Sequence, residues 1–491
     1  MARENYDVIV IGAGFGGSSC AGLLAKKGLE VLLVEKNAVA GGKVLSLSKN
    51  GFTYTAWVVI GAPVQDNLYQ VVLDELDVAD LATLVVPSGH GSIYRTPLNK
   101  FVRMPDTSSE HLDPNIIFDW LEIPEDRRAA ALAFMANLTV MPPEQVKQLS
   151  GTSFEDYLVA ADLPTPLYAF IVSQCCDGMF MVPVDALDAA EAITSLQAMF
   201  LRGGGVFCQG GYGRVAEAYV EAVRRNSGDV LMSTRVEQIL VEDGRVQGIE
   251  TDKGVFRAPI VISNAGLQPT VLKLVGEEHF DKSYLSYVKD LVPSYSLIGY
   301  RYFLSRPVTD APFGSIFSDT SPWSLKRFSD AREGKASREG VLYYEVPANY
   351  DPAAAPEGKS MLMTGSFCPP DPDLDKAELE TWARTGEQTL FAAFPELETC
   401  IEAKDFYSTR SVSNATRDQV LPGIGGETIG LGQIVGQCGD QKPSTRAPIR
   451  GLFYVGADAG GTGVGTQQAI ESGMNVADEV ARYHELARNI H

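Results

Sequence analysis

Short apolar runs that lead into glycine-rich turns recur at widely separated places in the chain. The first run, residues 6–11, is nearly continuously apolar and rich in β-branched side chains, which is typical of a strand buried on both faces. A glycine turn follows, then helical spacing over residues 18–27 and a second apolar run over residues 30–34. This pattern predicts a strand, a turn, a helix and a second, parallel strand.

The middle and the end of the sequence repeat this plan. A predicted helix over residues 216–228 leads to strands around the Asp243–Gly244 turn and to a buried strand over residues 258–263. The last part gives a strand over residues 451–458, a glycine-dense turn and a helix over residues 467–482. We expect these strands to join one sheet, so that three separate segments of the chain form a single α/β domain.

The first glycine turn has the spacing of a dinucleotide-binding motif. The first glycine permits the tight turn, the second lets backbone approach a pyrophosphate, and the third lets the helix pack closely on the strand. The acid that ends the second strand is placed to accept hydrogen bonds from ribose hydroxyls, and the helix N-terminus favours the pyrophosphate. The residues predicted to bind the dinucleotide here are Gly12, Ala13, Gly14, Phe15, Gly16, Gly17, Glu35 and Lys36.

This motif alone fits both NAD and FAD. Gly41, Gly42 and Lys43 would bring further backbone and a cation to the phosphates. The C-terminal turn, residues 460–466, is expected to place a second helix N-terminus beside the first. NAD needs no such second site, whereas a flavin ring extends beyond the pyrophosphate and is stabilised, when reduced, by free N–H groups and a helix dipole. The sequence therefore predicts FAD as the cofactor.

Two long inserts separate the three segments of this α/β domain. We predict a discontinuous FAD-binding domain of residues 1–64, 205–270 and 446–491, and a substrate-binding domain of residues 65–204 and 271–445.

The first insert is largely helical in pattern, while the second carries strand-like runs followed by a helix over residues 376–394. Strands beneath a flavin and a helical lid above it would enclose an apolar pocket. Candidates for its wall, for each of which plain core packing is the competing interpretation, are Trp57, Val58, Val59 and Ile60.

Composition narrows the function classes. The net charge of −21 over 491 residues argues against nucleic acid and anionic membrane surfaces as partners. No apolar run reaches the length of a membrane-spanning helix, and the first run lacks the flanks of a signal peptide. The seven cysteines are scattered without a CxxC pair, so we predict no metal site and a reducing, cytoplasmic location.

Together these motifs resemble the phytoene desaturase-like flavoproteins, a group that includes carotenoid desaturases, carotenoid cis–trans isomerases and retinol saturases. The resemblance is carried by the first glycine motif, GGK at 41–43, QGGYG at 209–213, SNA at 263–265 and YVGADAGGTGVG at 454–465. It implies an α/β fold in which a glutathione-reductase-type Rossmann FAD-binding domain is interleaved with an α+β substrate domain.

The resemblance also implies roles for particular residues. Val236 would contact the adenine through its backbone, Asp458 would bind the ribityl–pyrophosphate region, and Gly463 and Val464 would lie near the flavin ring. The chain departs from the family on the substrate side. Thr55 and Trp57 stand where the family often has an acid and a glycine, and Gly460 stands where carotenoid desaturases tend to have proline.

The leading hypothesis is hydride transfer between flavin N5 and a carbon of an apolar or alicyclic substrate, in desaturation, saturation or redox-neutral isomerisation. No pair of residues is identifiable as acid and base, although Tyr212, Arg410 and Gln433 are candidates for proton transfer or polar anchoring. The electron partner would be a quinone, oxygen or a redox protein, and transient membrane contact could deliver a lipid substrate. The alternatives are an amine oxidase and, as a binding protein, a prenyl-lipid carrier of the GDP-dissociation-inhibitor type.

Overall fold

The structure is a computed structural model that describes residues 3–61, 63–89, 91–105, 114–368, 375–416 and 429–488. Its strands are β1 Val8–Ile11, β2 Val31–Val34, β3 Ser46–Lys49, β4 Phe52–Thr55, β5 Leu84–Val85, β6 Ile93–Arg95, β7 Phe101–Arg103, β8 Phe207–Cys208, β9 Asp229–Leu231, β10 Val236–Glu242, β11 Arg245–Thr251, β12 Gly254–Arg257, β13 Ile260–Ser263, β14 Ser296–Leu304, β15 Phe313–Ser318, β16 Leu342–Glu345, β17 Ser360–Cys368, β18 Ile401–Tyr407 and β19 Leu452–Tyr454.

Its α-helices are α1 Phe15–Lys26, α2 Leu68–Glu75, α3 Pro114–Trp120, α4 Glu125–Val140, α5 Pro143–Gln148, α6 Phe154–Val159, α7 Thr165–Val172, α8 Ala189–Arg202, α9 Gly213–Arg225, α10 Leu267–Pro269, α11 Lys282–Asp290, α12 Leu325–Arg332, α13 Lys376–Ala393, α14 Thr409–Thr416 and α15 Gly465–Arg488. Two π-helical segments, Ser173–Phe180 and Thr270–Val275, continue α7 and α10. In this described part of the chain, no helix is both long and apolar enough to cross a membrane.

A five-stranded parallel sheet, in the order β19-β13-β1-β2-β9, contains strands from all three predicted segments of the α/β domain. Strands β1, β2, β13 and β19 are buried along their whole length, which explains why their sequences are almost entirely apolar, whereas the edge strand β9 is only half-buried. Val8, Val10 and Leu33 pack with helices α1, α9 and α15, whereas Ile9 and Leu32 pack toward the antiparallel sheet β10-β11-β12.

A second, seven-stranded sheet in the order β18-β14-β17-β16-β15-β6-β7 draws on both inserts. Its neighbours are antiparallel except for β15 and β6, where Phe317 is the partner of Tyr94. Helices α3 to α8 and α13 share the large core around this sheet. The predicted domain division stays a prediction. The five-stranded and seven-stranded sheets each take their strands from only one of the two predicted sets of segments, whereas the short sheet β5-β8 joins the two sets.

The element boundaries shift from the predictions where glycines lie inside helices. Helix α1 begins at Phe15 rather than at residue 18, because Gly14 is its N-cap and Gly16 and Gly17 occupy its first turn. Helix α15 likewise begins at Gly465. In the first insert, which was predicted to be largely helical, helix α2 ends at Glu75, and Leu84–Val85 forms a strand that pairs with β8.

Candidate functional site

A cavity of about 860 Å³ lies at the carboxyl ends of the parallel strands and extends to the seven-stranded sheet. Gly12 follows β1, Glu35 follows β2, Asn264 follows β13 and Asp458 follows β19, and all four line the cavity. The carboxyl edge of an open parallel sheet is the usual ligand site of α/β folds.

The first glycine turn leaves backbone amides open to this cavity. Gly12 has φ +93°, a conformation that other residues rarely adopt. Gly14 is the N-cap of α1 and provides no side-chain cap, so the first amides of the helix keep their donor capacity for a ligand. Phe15 and Gly16 line the cavity beside it. This arrangement fits the pyrophosphate of a dinucleotide.

The Asn264 side chain lies close to two glycines, one in this turn and one just after β19. A Cβ atom on Gly14 would lie 2.8 Å from Nδ2 of Asn264, and one on Gly456 would lie 2.5 Å from its Oδ1. Gly17 is more restricted still, since its Cβ would lie 2.0 Å from the carbonyl oxygen of Gly12. Gly17 therefore does not line the cavity but allows α1 to pack on the turn after β1, as predicted.

Glu35 is buried at the end of β2, and both of its carboxylate oxygens accept backbone hydrogen bonds. Oε2 accepts from the amide of Ala13 at 2.7 Å, and Oε1 accepts from the amide of Asn37 at 2.8 Å. Ala13 itself does not line the cavity. Its backbone instead joins the two glycine segments, because its carbonyl oxygen also accepts from the amide of Gly41 at 3.0 Å.

The second glycine segment lies against the first. A Cβ atom on Gly42 would lie 3.3 Å from Cα of Gly14, and Gly41 and Gly42 both have positive φ angles, of 116° and 55°. Lys43 lines the cavity, and its Nζ atom donates to the carbonyl of Ile429 at 3.3 Å. Lys36 and Val236 line the cavity as well.

The C-terminal turn completes this end of the cavity with Asp458, Gly463 and Val464. The Asp458 carboxylate joins two other loops, because Oδ2 accepts from the amide of Leu267 at 2.8 Å and Oδ1 accepts from the amide of Leu431 at 3.0 Å. Helix α15 can approach α1 closely because a Cβ atom on Gly473 would lie 2.0 Å from Oγ of Ser19.

Beyond the glycine turns the cavity wall becomes mainly apolar. The predicted wall residues Trp57, Val58, Val59 and Ile60 all line it. They face side chains that the sequence did not identify, from the π-helical segment, helix α8 and the seven-stranded sheet, namely Gln174, Met179, Ser195, Ala198, Met199, Arg202, Leu297, Phe313 and Tyr343. In the sequence, the cavity-lining residues of α8 are marked only by their helical spacing, which is equally typical of a helix that faces the core.

A buried carboxyl group supports this wall from behind. Glu345, at the end of β16, is fully buried and accepts hydrogen bonds from the amide of Val59 at 3.1 Å and from the hydroxyl of Tyr350 at 2.6 Å. Burial raises the pKa of Glu345 to about 7, and these two hydrogen bonds oppose the rise.

The three candidates for proton transfer do not reach the cavity. The Tyr212 hydroxyl accepts from the amide of Gly61 at 2.8 Å and donates to the carbonyl of Val206, so it holds two backbone segments together. Gln433 is buried, and its Nε2 donates to the carbonyl of Leu431 at 3.3 Å. Arg410 is exposed and lies outside the cavity lining. None of the three is placed to act on a ligand there.

Of the three positions that depart from the family pattern, Trp57 lies in the cavity wall, whereas Thr55 and Gly460 lie outside the cavity lining. Thr55 is buried behind the wall, and Trp57 lines the cavity with 5% of its surface exposed. Among the described residues, neither the Thr55 hydroxyl nor the Trp57 indole N–H has a hydrogen-bond partner. The described residues also contain no cluster of histidine, cysteine and acidic side chains that could hold a metal ion.

Comparisons with known proteins agree with this geometry. The model of the family described as "flavin containing amine oxidoreductase" matches residues 15–285, more than half of the chain. Prolycopene isomerase 2, chloroplastic, from an Oncidium hybrid cultivar is 25% identical over 394 residues, which cover 72% of this chain and 63% of that protein. The zeta-carotene-forming phytoene desaturase of Myxococcus xanthus is 25% identical over 95% of this chain and 92% of its own length.

The chain thus spans less than two thirds of the plant isomerase that it matches but nearly all of the bacterial desaturase. Among solved structures, an oxidoreductase from Methanosarcina mazei superposes with a TM-score of 0.70 at 20% identity, covering 96% of this chain and 99% of that one. This likeness confirms the predicted fold class.

Proposed function

The chain belongs to the flavin containing amine oxidoreductase family, and from this premise we propose that it is an FAD-dependent oxidoreductase acting on a carbon–carbon bond of an apolar or alicyclic substrate. The reaction would be a desaturation, a saturation or a redox-neutral isomerisation. Membership of the family confirms the flavin that the sequence predicts. The observation that carries the proposal is the continuity of one cavity from the glycine turns into a mainly apolar compartment.

We propose that the backbone of the first turn and of residues 41–43 holds the FAD phosphates, while Glu35 accepts from the ribose. Glu35 would then exchange one of its two present amide contacts, or share it, with a ribose hydroxyl. Asp458, Gly463 and Val464 would lie along the ribityl chain and the ring, and Val236 along the adenine. The tight glycine contacts and the uncapped N-terminus of α1 support this assignment.

When bound, FAD supplies the hydride acceptor or donor for the reaction. The chain's own residues would orient the substrate and exclude water. Trp57, Val58 and Leu297 present apolar surface, and the fixed position of the 57–60 segment follows from the Val59 hydrogen bond to Glu345. Exclusion of water protects a reactive carbon centre from competing reactions.

An amine oxidase is the second candidate, because the family description names amines. Two of the aromatic residues that line the cavity, Phe313 and Tyr343, lie next to each other, but their ring centroids are only 6.2 Å apart with planes at 28°. A group held between two ring faces needs about 3.5–4.0 Å on each side. These rings therefore pack on one another and leave no slot for an amine. The carrier alternative is disfavoured by the intact glycine turns.

The decisive test uses the purified, FAD-loaded protein under anaerobic conditions. Phytoene, retinol and putrescine are mixed separately with oxidised and with reduced protein, while flavin absorbance and products are followed. A change in flavin redox state or in double-bond geometry with either polyene supports the proposal. Putrescine-dependent flavin reduction with hydrogen peroxide release on aeration would establish the amine oxidase instead. No reaction with any polyene, with full flavin content, would contradict the carbon–carbon assignment.

The electron partner and the location are also proposals. For a net desaturation or saturation we propose a quinone, oxygen or a redox protein as partner, which stopped-flow reoxidation with each class would distinguish. We propose a reducing, cytoplasmic location because all seven cysteines are free. Transient membrane contact is supported by Leu201, which is 60% exposed beside the cavity rim. Flotation with vesicles of neutral lipid would test that contact.

A further inference from the structure

Arg202 is a cation at the rim of the mainly apolar compartment. It is the last residue of α8 and lines the cavity, next to the exposed residues Leu201 and Gly203. Its backbone is fixed, because its carbonyl oxygen accepts from the amides of Val64 at 3.1 Å and Gln65 at 2.8 Å. The side chain is therefore presented to the cavity from a defined point.

The Arg202 guanidinium has no hydrogen bond and no ion pair within the described part of the chain. Acidic residues outnumber Lys and Arg residues by 62 to 41 in this chain, yet no described carboxylate forms an ion pair with Arg202. Asp66 also lines the cavity but forms no ion pair with it. Arginine stays charged at all relevant pH values and presents a planar fork of donors that matches carboxylate and phosphate oxygens.

One face of α8 connects this cation to the predicted flavin end of the cavity. Ser195, Ala198, Met199 and Arg202 share that face and are all half-buried along the cavity. The Oγ atom of Ser195 lies 3.8 Å from the position of a Cβ atom on Gly463. Arg202 lies seven positions after Ser195 in the helix, which corresponds to a rise of roughly 10 Å. The face between them is lined by Ala198 and Met199, which offer no hydrogen bond.

We propose that the substrate is amphipathic, with an apolar body that lies along the α8 face and an oxyanion end group, carboxylate or phosphate, that binds Arg202. This inference rests on the proposed function and narrows its substrate class. Arg202 would fix how far the reacting carbons lie from the end group, and thereby which carbon–carbon bond is presented near Gly463. The mainly apolar wall and the cation that ends the α8 face together select such a molecule over an uncharged hydrocarbon.

The test compares end groups on one apolar body by calorimetric titration of the FAD-loaded protein. Geranic acid, geraniol and geranyl phosphate are titrated into the native protein and into Arg202→Gln, Arg202→Lys and Arg224→Gln. Arg224 is the matched control, since it is also an arginine in the last turn of a helix but lies outside the cavity lining. Flavin content and polyene turnover are measured on the same preparations.

We expect an anionic ligand to bind the native protein at least about tenfold more tightly than geraniol, as a charge-assisted pair at a partly exposed site allows. Arg202→Gln should abolish that preference, Arg202→Lys should retain part of it, and Arg224→Gln should leave it unchanged. The relative affinities of the acid and the phosphate identify which oxyanion the site takes. Equal binding of acid, phosphate and alcohol to the native protein, or an unchanged preference in Arg202→Gln, would overturn the inference.

The titration also separates this inference from the proposed function. If Arg202-dependent binding is found in a flavin-loaded protein that converts no polyene, the anion site stands and the proposed reaction fails. If the polyenes are converted while binding is indifferent to Arg202, the reaction stands and the anion site fails.

Discussion

The two ends of the cavity are built by different means. At the nucleotide end glycine turns line the cavity, and a Cβ atom on Gly14, or on Gly17 just behind the lining, would lie only 2.8 Å or 2.0 Å from a neighbouring atom. At the substrate end the lining is side chains from distant segments, such as Trp57, Arg202 and others that face them across the cavity. A backbone-built site tolerates almost no substitution, whereas a site built from side chains can change its ligand while the fold persists.

The most severe test of this contrast is Gly17→Ala. The added carbon would lie 2.0 Å from the carbonyl oxygen of Gly12, which is backbone and has no room to move aside. We expect loss of bound FAD and a fall in the free energy of unfolding of about 3 kcal/mol or more, at the upper end of overpacking effects. Flavin stoichiometry and denaturant unfolding measure the two effects.

Gly22→Ala is the matched control, because it is the same substitution in the same helix. Its Cβ atom would meet Cδ1 of Leu76 at 2.9 Å, the end of a flexible side chain. We expect this variant to keep its FAD. If Gly17→Ala also kept its FAD, the nucleotide end would not depend on close backbone contacts, and the contrast would fail.

The second test concerns the carboxyl group behind the substrate wall. Burial raises the pKa of Glu345 from 4.5 to about 7, so the folded protein holds a proton that the unfolded chain releases. Its contribution to stability is therefore full below about pH 4.5 and declines as pH rises toward 7. We expect the loss to be on the order of 3 kcal/mol for a shift of this size.

Glu345→Gln should remove this part of the pH dependence, which unfolding curves at about pH 4.5 and about pH 8 would measure. The exposed carboxylate of Glu396 provides the control variant, Glu396→Gln. FAD content at neutral pH should be unchanged in both, because Glu345 supports only the substrate end. An identical pH profile for the native protein and Glu345→Gln would contradict the assignment.

Glu35→Gln tests whether a side chain at the nucleotide end also contributes to FAD binding. Glutamine has an NH₂ group in place of one of the two carboxylate oxygens of Glu35, which accept hydrogen bonds from the backbone N–H groups of Ala13 and Asn37. A buried N–H that loses its acceptor costs about 1–3 kcal/mol, and we expect FAD affinity to fall by about tenfold or more. Fluorescence titration of the apoprotein with FAD measures this. Glu30→Gln, at an exposed ion pair with Arg3, should leave FAD affinity unchanged.

The smallest expected effect on stability is that of Trp57→Phe. Trp57 and Trp382 both bury an indole N–H that has no partner among the described residues, but only Trp57 lines the cavity. Each Trp→Phe substitution should cost about 1–2 kcal/mol of stability. Only Trp57→Phe should change the affinity for geranic acid or for a polyene, at unchanged FAD content. Equal ligand effects in Trp57→Phe and Trp382→Phe would mean that Trp57 does not contact the ligand.

The same contrast explains how much the sequence could predict. The nucleotide end follows from local rules, since buried strands, glycine spacing and the acid after β2 all lie close together in the chain. All but Ala13 and Gly17 of the predicted cofactor residues line the cavity, and these two support the turn from behind.

The substrate end depended on partners far apart in sequence. Strand β6 has three residues, and its place beside β15 is set by pairing with residues 316–318. The sequence around Tyr212 does not indicate that its hydroxyl accepts a hydrogen bond from Gly61 and donates one to Val206. Arg202 was indistinguishable from any cation that ends a helix, because only the folded chain shows a cavity beside it.

The most direct test of the central claim is the visible absorption spectrum of the purified protein, recorded before and after denaturation, with the released cofactor identified by chromatography. We expect flavin bands in the folded native protein and the release of close to one FAD per chain on denaturation. Trp57→Phe should keep this FAD, and Gly17→Ala should lack it. A native protein that is colourless and takes up no added FAD would contradict this claim.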